Sequence, residues 1–516
     1  MLFLQSDRRT TGHSGGLIII ALTSLYFLAL YVIPPIREYN NFRVMNFDFG
    51  ILLQSSYLLS RLNDLFMTTR GVHIWADNQD YFQILFALFH YLPSPHYWLL
   101  VFHSCAIYAC GIFCLIYLMP QGRFVAIAVA ITVWISPFMI NINMDLVHTE
   151  AVTTILILLL YFACKKGNRF LFYLFLLLAL SCKEDAALTV GFFMTLVLLE
   201  QRWFDQDRFE LRQIHFIIGL IFSVTLFFIN LKVVLPFYKA QTCLWLDPNF
   251  AIEAMSSVPA SPAYQETLTN WYKPSFIKEA FIKKDVGMYV LNVMWPAVFF
   301  VGSKSLLLLL PAAALFINII SKTGYFIEGF YHYDFCTMAA VIIIIIEGIS
   351  QTTYKKIISC LLLMSAIYFH FNMKTRVPLG APLTKDFYRF EKNVEVQFLH
   401  RLNEVLPENT TITADYNSIN YLIDKHPNIY MSENPFRPSY FGLYGVCERL
   451  KSPPVVDLVI IRRDYNMDKN LQSFLSSHFY LASKQRNRFR IWVNPTFMQR
   501  EKSKDFRQLL AVSLEN

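Results

Sequence analysis

The sequence predicts an all-α polytopic transmembrane bundle followed by a small soluble α/β domain. Three observations carry that reading. The 516-residue chain is 55% hydrophobic and only 16% charged, against about 25% charged residues in an ordinary soluble protein. Its apolar residues, 47 Phe among them, fall in blocks of roughly 15–22 residues, the length of a helix that crosses a bilayer. Beyond about residue 376 those blocks stop, and short strand-like runs alternate with amphipathic stretches. The transmembrane part is therefore 1–375 and the soluble domain 376–516.

In chain order, membrane helices are expected at about 16–36, 97–118, 123–140, 149–164, 168–182, 186–201, 214–235, 285–301, 303–320, 334–350 and 355–371, about eleven in all. The first apolar block, Gly16 to Ile33, is too long for the core of a signal peptide and lacks a clean cleavage site, so it reads as a retained helix. The segments between 149 and 201 are short for full spans, and 81–92 reads as a further partial or interfacial helix. Two long loops, 37–96 and 236–284, interrupt the series. The first carries an amphipathic stretch, Phe49 to Leu65, expected to lie at the membrane surface. The second is rich in Pro, Ser, Tyr and Trp and suggests no role of its own.

Basic residues set the orientation. With Arg8 and Arg9 in the cytoplasm, alternation puts Arg123, Lys165 with Lys166 and Arg169, Arg202 with Arg208 and Arg212, Lys304, and Lys355 with Lys356 on the same side. Arg37, Arg43, Arg61 and Arg70 fall in the first outer loop, which is long enough to escape the rule. The net charge of +8 is thus largely an orientation signal. It forms no clustered stripe of the kind that binds nucleic acid. The soluble tail is then non-cytoplasmic, and the lipid bilayer is a partner.

Within the tail, Phe387 to Leu406 reads as an amphipathic helix and Thr410 to Ala414 as a short strand. Ile419 to Ile423 reads as a helical turn, Val455 to Ile461 as a buried strand, Leu471 to Phe479 as a helix and Phe489 to Val493 as a closing strand. No GxGxxG and no P-loop occurs, so no nucleotide is assigned. Of the nine cysteines, seven lie in or beside apolar segments as small hydrophobes. Cys243 and Cys447 lie outside them, and a bridge between these two requires a proximity that sequence spacing does not give.

Polar groups at membrane depth are costly, so the places where they gather are informative. Five clusters share the expected outer face: Asn46 to Gly50, Asp77 to Asp80, Asp145 to Glu150, Ser181 to Asp185, and Glu328 to Asp334. The cytoplasmic loops carry basic residues but no comparable mixture of acid, His and aromatic residues. Each cluster also has a plainer explanation. Asp48 suits a helix N-cap. Asp77 and Asp80 suit a solvated loop, their spacing fitting a metal but with no third ligand evident. His148 and Glu150 open a helix, where an acid is favoured by the dipole. His332 and Tyr333 suit the interface. Lys183, Glu184 and Asp185 resist such an explanation, because a plain hairpin turn between apolar helices does not need charges of both signs.

With these clusters in order, the chain resembles a family of bacterial membrane proteins whose function is not established and whose architecture is that of the GT-C glycosyltransferases. The resemblance lies in NFDFGILLQ (46–54), YLPSPHYWLL (91–100), VHTEA (147–151), CKEDAAL (182–188) and YHYDF (331–335). In the tail it lies in LPENTTITADYNSINYL (406–422) and VDLVIIRRD (456–464). The family pattern has a His and a Pro where this chain has Asp77 to Asp80. The resemblance implies an enzyme that takes a sugar from a polyprenyl-phosphate carrier, with Asp48 where the first-loop carboxylate acts as base or metal ligand.

The expected function is therefore transfer of a sugar from a polyprenyl-phosphate donor to an acceptor, itself unidentified, on the non-cytoplasmic side. Asp48 is the expected catalytic base. Lys183 and His332 are expected at the donor phosphate, and Glu150, Glu184, Asp185, His148 and Tyr333 around them. A divalent metal is the one cofactor the acidic residues leave open, with Asp77 and Asp80 as its candidates. A non-catalytic transporter or lipid-handling membrane protein is the alternative, but a transporter ordinarily places polar residues at mid-depth within repeats, which this sequence lacks. Cysteines introduced between 62 and 80 and beyond 376 are expected to react with an impermeant maleimide added to intact cells. Protection of the tail would reverse the orientation.

Overall fold

The computed structural model describes residues 14–43, 48–62, 65–69, 71–77, 80–204, 209–246, 270, 273–282, 285–303, 305–321, 327–329, 332–415, 417–423, 426, 428–431, 455–463, 469–482, 488–500 and 506. Each expected membrane segment falls on a helix. Among the described residues three helices, Leu17–Asn40, Pro95–Gln121 and Gln213–Thr242, are long and apolar enough to cross a bilayer. Arg123–Trp134 and Pro137–Met144, bent by 48°, make a fourth if they form one span. The bend falls at Ser136, held extended before Pro137, because a residue preceding proline is pushed out of the helical region and the proline lacks an N–H. Arg169–Leu180, Val286–Val298, Leu306–Ile320 and Phe335–Gln351 are apolar but shorter. Of the roughly eleven membrane helices expected, only those three, or four with the bent pair, pass as full spans by length and composition among the described residues, and the rest are shorter or more polar.

Close approach of three helices is fixed around one tryptophan. The Trp134 indole N–H donates to Tyr108 O at 2.9 Å, and the ring stacks on Tyr108 and Phe27 with centroids 5.3 and 5.0 Å away. Gly111 makes room for it: a Cβ there would lie 2.2 Å from the indole nitrogen.

The first loop departs from expectation. Asp48–Arg61 is a helix, but Phe49, Leu52, Leu53, Gln54 and Leu58 are all buried. It is a packed element of the fold, because the loop's own Gln83–Tyr91 segment and the C-terminal turn at Ile419–Asn420 cover it. The 83–91 segment is the more exposed piece, presenting Ile84, Leu88 and Tyr91 outward. The helix beginning at Gln213 runs past its expected end to Leu246 through a π turn at Asn230–Val234. The turn presents Asn230 to the Tyr81 hydroxyl at 3.0 Å, a use typical of such bulges. Cys447 lies outside the described residues, as does the Cys243 side chain, and with them the bridge between the two.

The C-terminal sheet has the strand order Ile429–Met431, Ile412–Ala414, Leu458–Arg462, Phe489–Val493, Tyr480–Leu481. Its first three strands are parallel and the last two antiparallel. Val394–Val405 and Lys469–His478 are its longer helices. Two of the strands, Ile429–Met431 and Tyr480–Leu481, were not expected, being three and two residues long and too short for an alternation to register. The sheet region is fastened to the first membrane helix: Asn393 N–H donates to Asn40 O at 2.9 Å and Tyr421 OH to Tyr39 O at 2.7 Å.

Because the Trp134 ring fills the space above Gly111, Gly111→Ala is expected to cost about 1–3 kcal/mol, the range for overpacking a close-packed interior. A thermal melt in detergent checks it. Gly287→Ala, where a Cβ meets nothing within 4 Å, serves as the control.

Candidate functional site

The helices Thr149–Lys165, Glu184–Trp203 and Phe335–Gln351 begin at one end of the bundle, and their first residues meet there. Thr154 donates to Phe335 O at 3.0 Å, setting two of these helices side by side. Lys183, the N-cap residue of the second, reaches Glu150 in the first turn of the first at 3.0 Å. Both side chains are buried. Lys183 also lies 5.7 Å from the centroid of the Tyr333 ring, which brings in the third.

The first loop supplies Asp80. Two residues on, the Phe82 N–H donates to Ser181 O at 2.9 Å and ties this stretch of the loop to the helix end. The Asp80 carboxylate accepts from the Thr149 hydroxyl and, at 3.1 Å, from the Gln83 amide. Thr149 is also 3.3 Å from Glu150, so one hydroxyl links two carboxylates. Burial, then the nearby Glu150 charge, push the Asp80 carboxyl well above its usual value, against the opposing pull of Thr149, Gln83 and Lys183.

A second group adjoins the first. His148 stands 3.8 Å from both Asp145 and Glu150, and its backbone N–H donates to His103 Nδ1 at 3.3 Å. Arg376 reaches Asp145 at 3.5 Å and donates to Met144 O at 2.7 Å. Between Asp145 and His148 the chain turns through Leu146 at φ 63°, a left-handed conformation unusual for a branched residue and of a kind that collects at functional sites. On the far side, Tyr289 OH donates to Asp334 at 2.5 Å, and Asn318 donates to Tyr289 and to Tyr333 O.

Four of the five polar clusters are thus brought together: Asp80, Asp145 to Glu150, Lys183 with Glu184 and Asp185 following it, and Tyr333–Asp334. The His332 and Asp77 side chains lie outside the described residues. Asp48, half-buried, opens the helix Asp48–Arg61, whose first turn meets the C-terminal sheet region: a Cβ on Gly50 would fall 2.8 Å from Asn420 Oδ1. Arg376, Gln83, Tyr289 and Asn318 were not singled out from sequence, and Asp145 and Thr149 entered only as members of a cluster, without a role. Arg376 reads there only as a charge at the end of an apolar run, and nothing local marks its partner 231 positions away. Among the described residues no three His, Cys, Asp or Glu side chains are arranged to hold a metal ion.

Asp80 generates a test with a definite sign. A carboxyl whose folded value is raised stabilises the fold most below its unfolded value, and that contribution is lost as pH rises through the raised folded value. Asp80→Asn keeps an acceptor for Thr149 and Gln83 and removes the ionisation. The variant is expected to lose less melting temperature than the parent between pH 4 and neutrality, a window that starts at the ordinary carboxylate value of about 4. Parallel curves for the two would refute the assignment.

A model of the family described as Predicted membrane protein (DUF2079) matches residues 47–492. No curated protein matches the chain. Among solved structures, ArnT from Cupriavidus metallidurans in the apo state superposes with a TM-score of 0.51 over 97% of this chain and 99% of that one, at 8% identity. The same protein bound to undecaprenyl phosphate gives a TM-score of 0.50 over 94% of this chain and 98% of that one, also at 8% identity. At that identity the likeness is one of fold, and the fold is GT-C-like.

Proposed function

The chain belongs to this family of membrane proteins and has a GT-C-like fold, and from that premise we propose that it transfers a sugar from a polyprenyl-phosphate donor to an acceptor on the non-cytoplasmic side of a bacterial inner membrane. The observation that carries the reading is the meeting of Asp80, Glu150, Lys183, His148, Asp145 and Arg376 at one end of the bundle. ArnT, similar in fold over nearly the whole chain, binds undecaprenyl phosphate, which supports a polyprenyl phosphate as the carrier.

The acceptor hydroxyl loses its proton to Asp48 as its oxygen bonds to the anomeric carbon of the sugar. The bond from that carbon to the carrier phosphate breaks, and the polyprenyl phosphate leaves with the electron pair. Lys183 is suited to that phosphate: a lysine at a helix N-terminus adds a point charge to the positive end of the helix dipole. Glu150 keeps it charged and fixes its direction. His332 joins it at the phosphate, and Glu184, Asp185, His148 and Tyr333 position the sugar. The tail covers the first loop beside Asp48.

Two variants test this. Asp48→Asn retains the size and most of the capping capacity. It is expected to melt near the parent temperature and to lose at least about a hundredfold in transfer, the lower end for loss of a general base. Full activity would leave Asp48 a helix cap. Lys183→Ala alone removes the cation paired with buried Glu150, at about 3–5 kcal/mol, so it is combined with Glu150→Gln. The double variant is expected to recover much of the lost stability and still bind polyprenyl phosphate poorly. Recovery of affinity together with stability would make Lys183 a structural clasp.

A further inference from the structure

The chain between the last long helix and the C-terminal sheet, residues 373–393, does not leave the membrane part directly. It begins at the site, where Asn141 donates to Lys374 O at 3.0 Å and Arg376 N–H donates to Asn141 Oδ1 at 3.2 Å. It then runs back along the first helix, where Leu379 O accepts from the Tyr26 hydroxyl. It returns to place Phe387 under the Arg37 guanidinium, 6.0 Å from the ring centroid. From Arg37 to Tyr26 the helix descends about 16 Å at 1.5 Å per residue. Tyr26 is well inside a helix that is long and apolar enough to span, and its neighbours Leu22 and Leu25 face outward, each 61% exposed.

We propose that Pro378–Leu383 is a re-entrant tip that dips into the acyl region of the leaflet on the site's side, packed along the first helix. Four features fit a lipid partner. The tip, Pro-Leu-Gly-Ala-Pro-Leu, carries no charge or polar side chain. Leu383 is 80% exposed, a poor arrangement in water at the depth of a membrane helix. Lys374 and Lys385, both exposed, flank the tip, where they would reach anionic headgroups.

The backbone supplies the fourth. Irregular chain survives in hydrocarbon only when its polar groups are satisfied internally. Pro378 and Pro382 have no N–H to satisfy. Ala381 N–H donates to Pro378 O at 3.0 Å, Leu383 N–H to Gly380 O at 3.0 Å, and Thr384 N–H to Ala381 O at 3.1 Å. Together with the Tyr26 bond to Leu379 O, every carbonyl from Pro378 to Ala381 accepts a hydrogen bond. The partner is bilayer lipid, and the segment that carries Arg376 into the site is anchored by it.

The test uses the full-length protein in phosphatidylcholine–phosphatidylglycerol nanodiscs, with other reactive cysteines replaced. An environment-sensitive fluorophore is attached at Gly380→Cys, where a Cβ meets nothing within 4 Å, and separately at Leu383→Cys. Both labels are expected to emit to the blue of a label at exposed Glu408. Both should lose at least about half their intensity to lipids spin-labelled on the acyl chain and little to aqueous iodide, as for a group below the headgroups. Quenching by iodide and not by the spin-labelled lipid at both positions would place the tip in water and overturn the proposal. The Gly380 label decides the matter if the Leu383 variant fails to fold.

Discussion

The arrangement at the site end turns on one buried ion pair, Lys183 with Glu150. Each partner is costly alone. Lys183 stands at the N-cap of a helix, where the dipole disfavours a cation, and it is buried. Glu150, in the first turn of its own helix, is favoured by the dipole but is also withdrawn from water. Together they offset part of the desolvation that each suffers. The pair fixes which face of each helix turns inward, and Thr149, His148 and Tyr333 take their places around it. Asp185, in the turn after Lys183, is an acid where the helix dipole favours one.

A similar device operates at the other end of the same helix. Lys165, in the last turn of Thr149–Lys165, pairs with Glu347, which also accepts from Tyr161 OH at 2.8 Å. Lys165 lies 4.2 Å from the Phe209 ring centroid. The helix that presents Glu150 is therefore pinned at both ends by ion pairs, to Lys183 on one helix and Glu347 on another. Ion pairs placed this way contribute little net stability compared with apolar residues of similar size. Their better-attested use is to fix register, and register is what a site assembled from helix ends requires.

The sequence was legible where a signal is local. Helices announce themselves by apolar length, and the charges in Lys183–Asp185 stood out because they interrupt an apolar stretch. The strand Leu458–Arg462 was expected as 455–461 from an apolar run bounded by turn residues. What sequence could not supply is pairing across long separations. Asp80 was weighed as a solvated loop residue or metal candidate, yet it is 5% exposed and joined to Thr149. Its neighbours in sequence give no hint, since the bond joining Phe82 to Ser181 crosses from loop to helix end. The protein cover on the helix after Asp48 was unforeseen for a related reason: its amphipathic pattern reports that one face is apolar, not whether lipid or protein covers it.

The cover over that helix is the C-terminal sheet region, and its contact is specific. Asp415, just beyond the strand Ile412–Ala414, accepts from the backbone of Asn417, Ser418 and Arg462 and from the Ser418 hydroxyl. Burial raises its carboxyl even so, with those bonds pulling the other way. The bonds hold the turn Ser418–Tyr421, which lays Ile419 and Asn420 against Gly50 and the Tyr421 ring on Phe42, centroids 5.0 Å apart. A Cβ at position 50 would force the Asn420 side chain, 2.8 Å away, to move. A glycine two residues after Asp48 therefore serves packing between the first loop and the C-terminal region. The environment of Asp48 is set jointly by the two ends of the chain, and neither end alone contains the information for it.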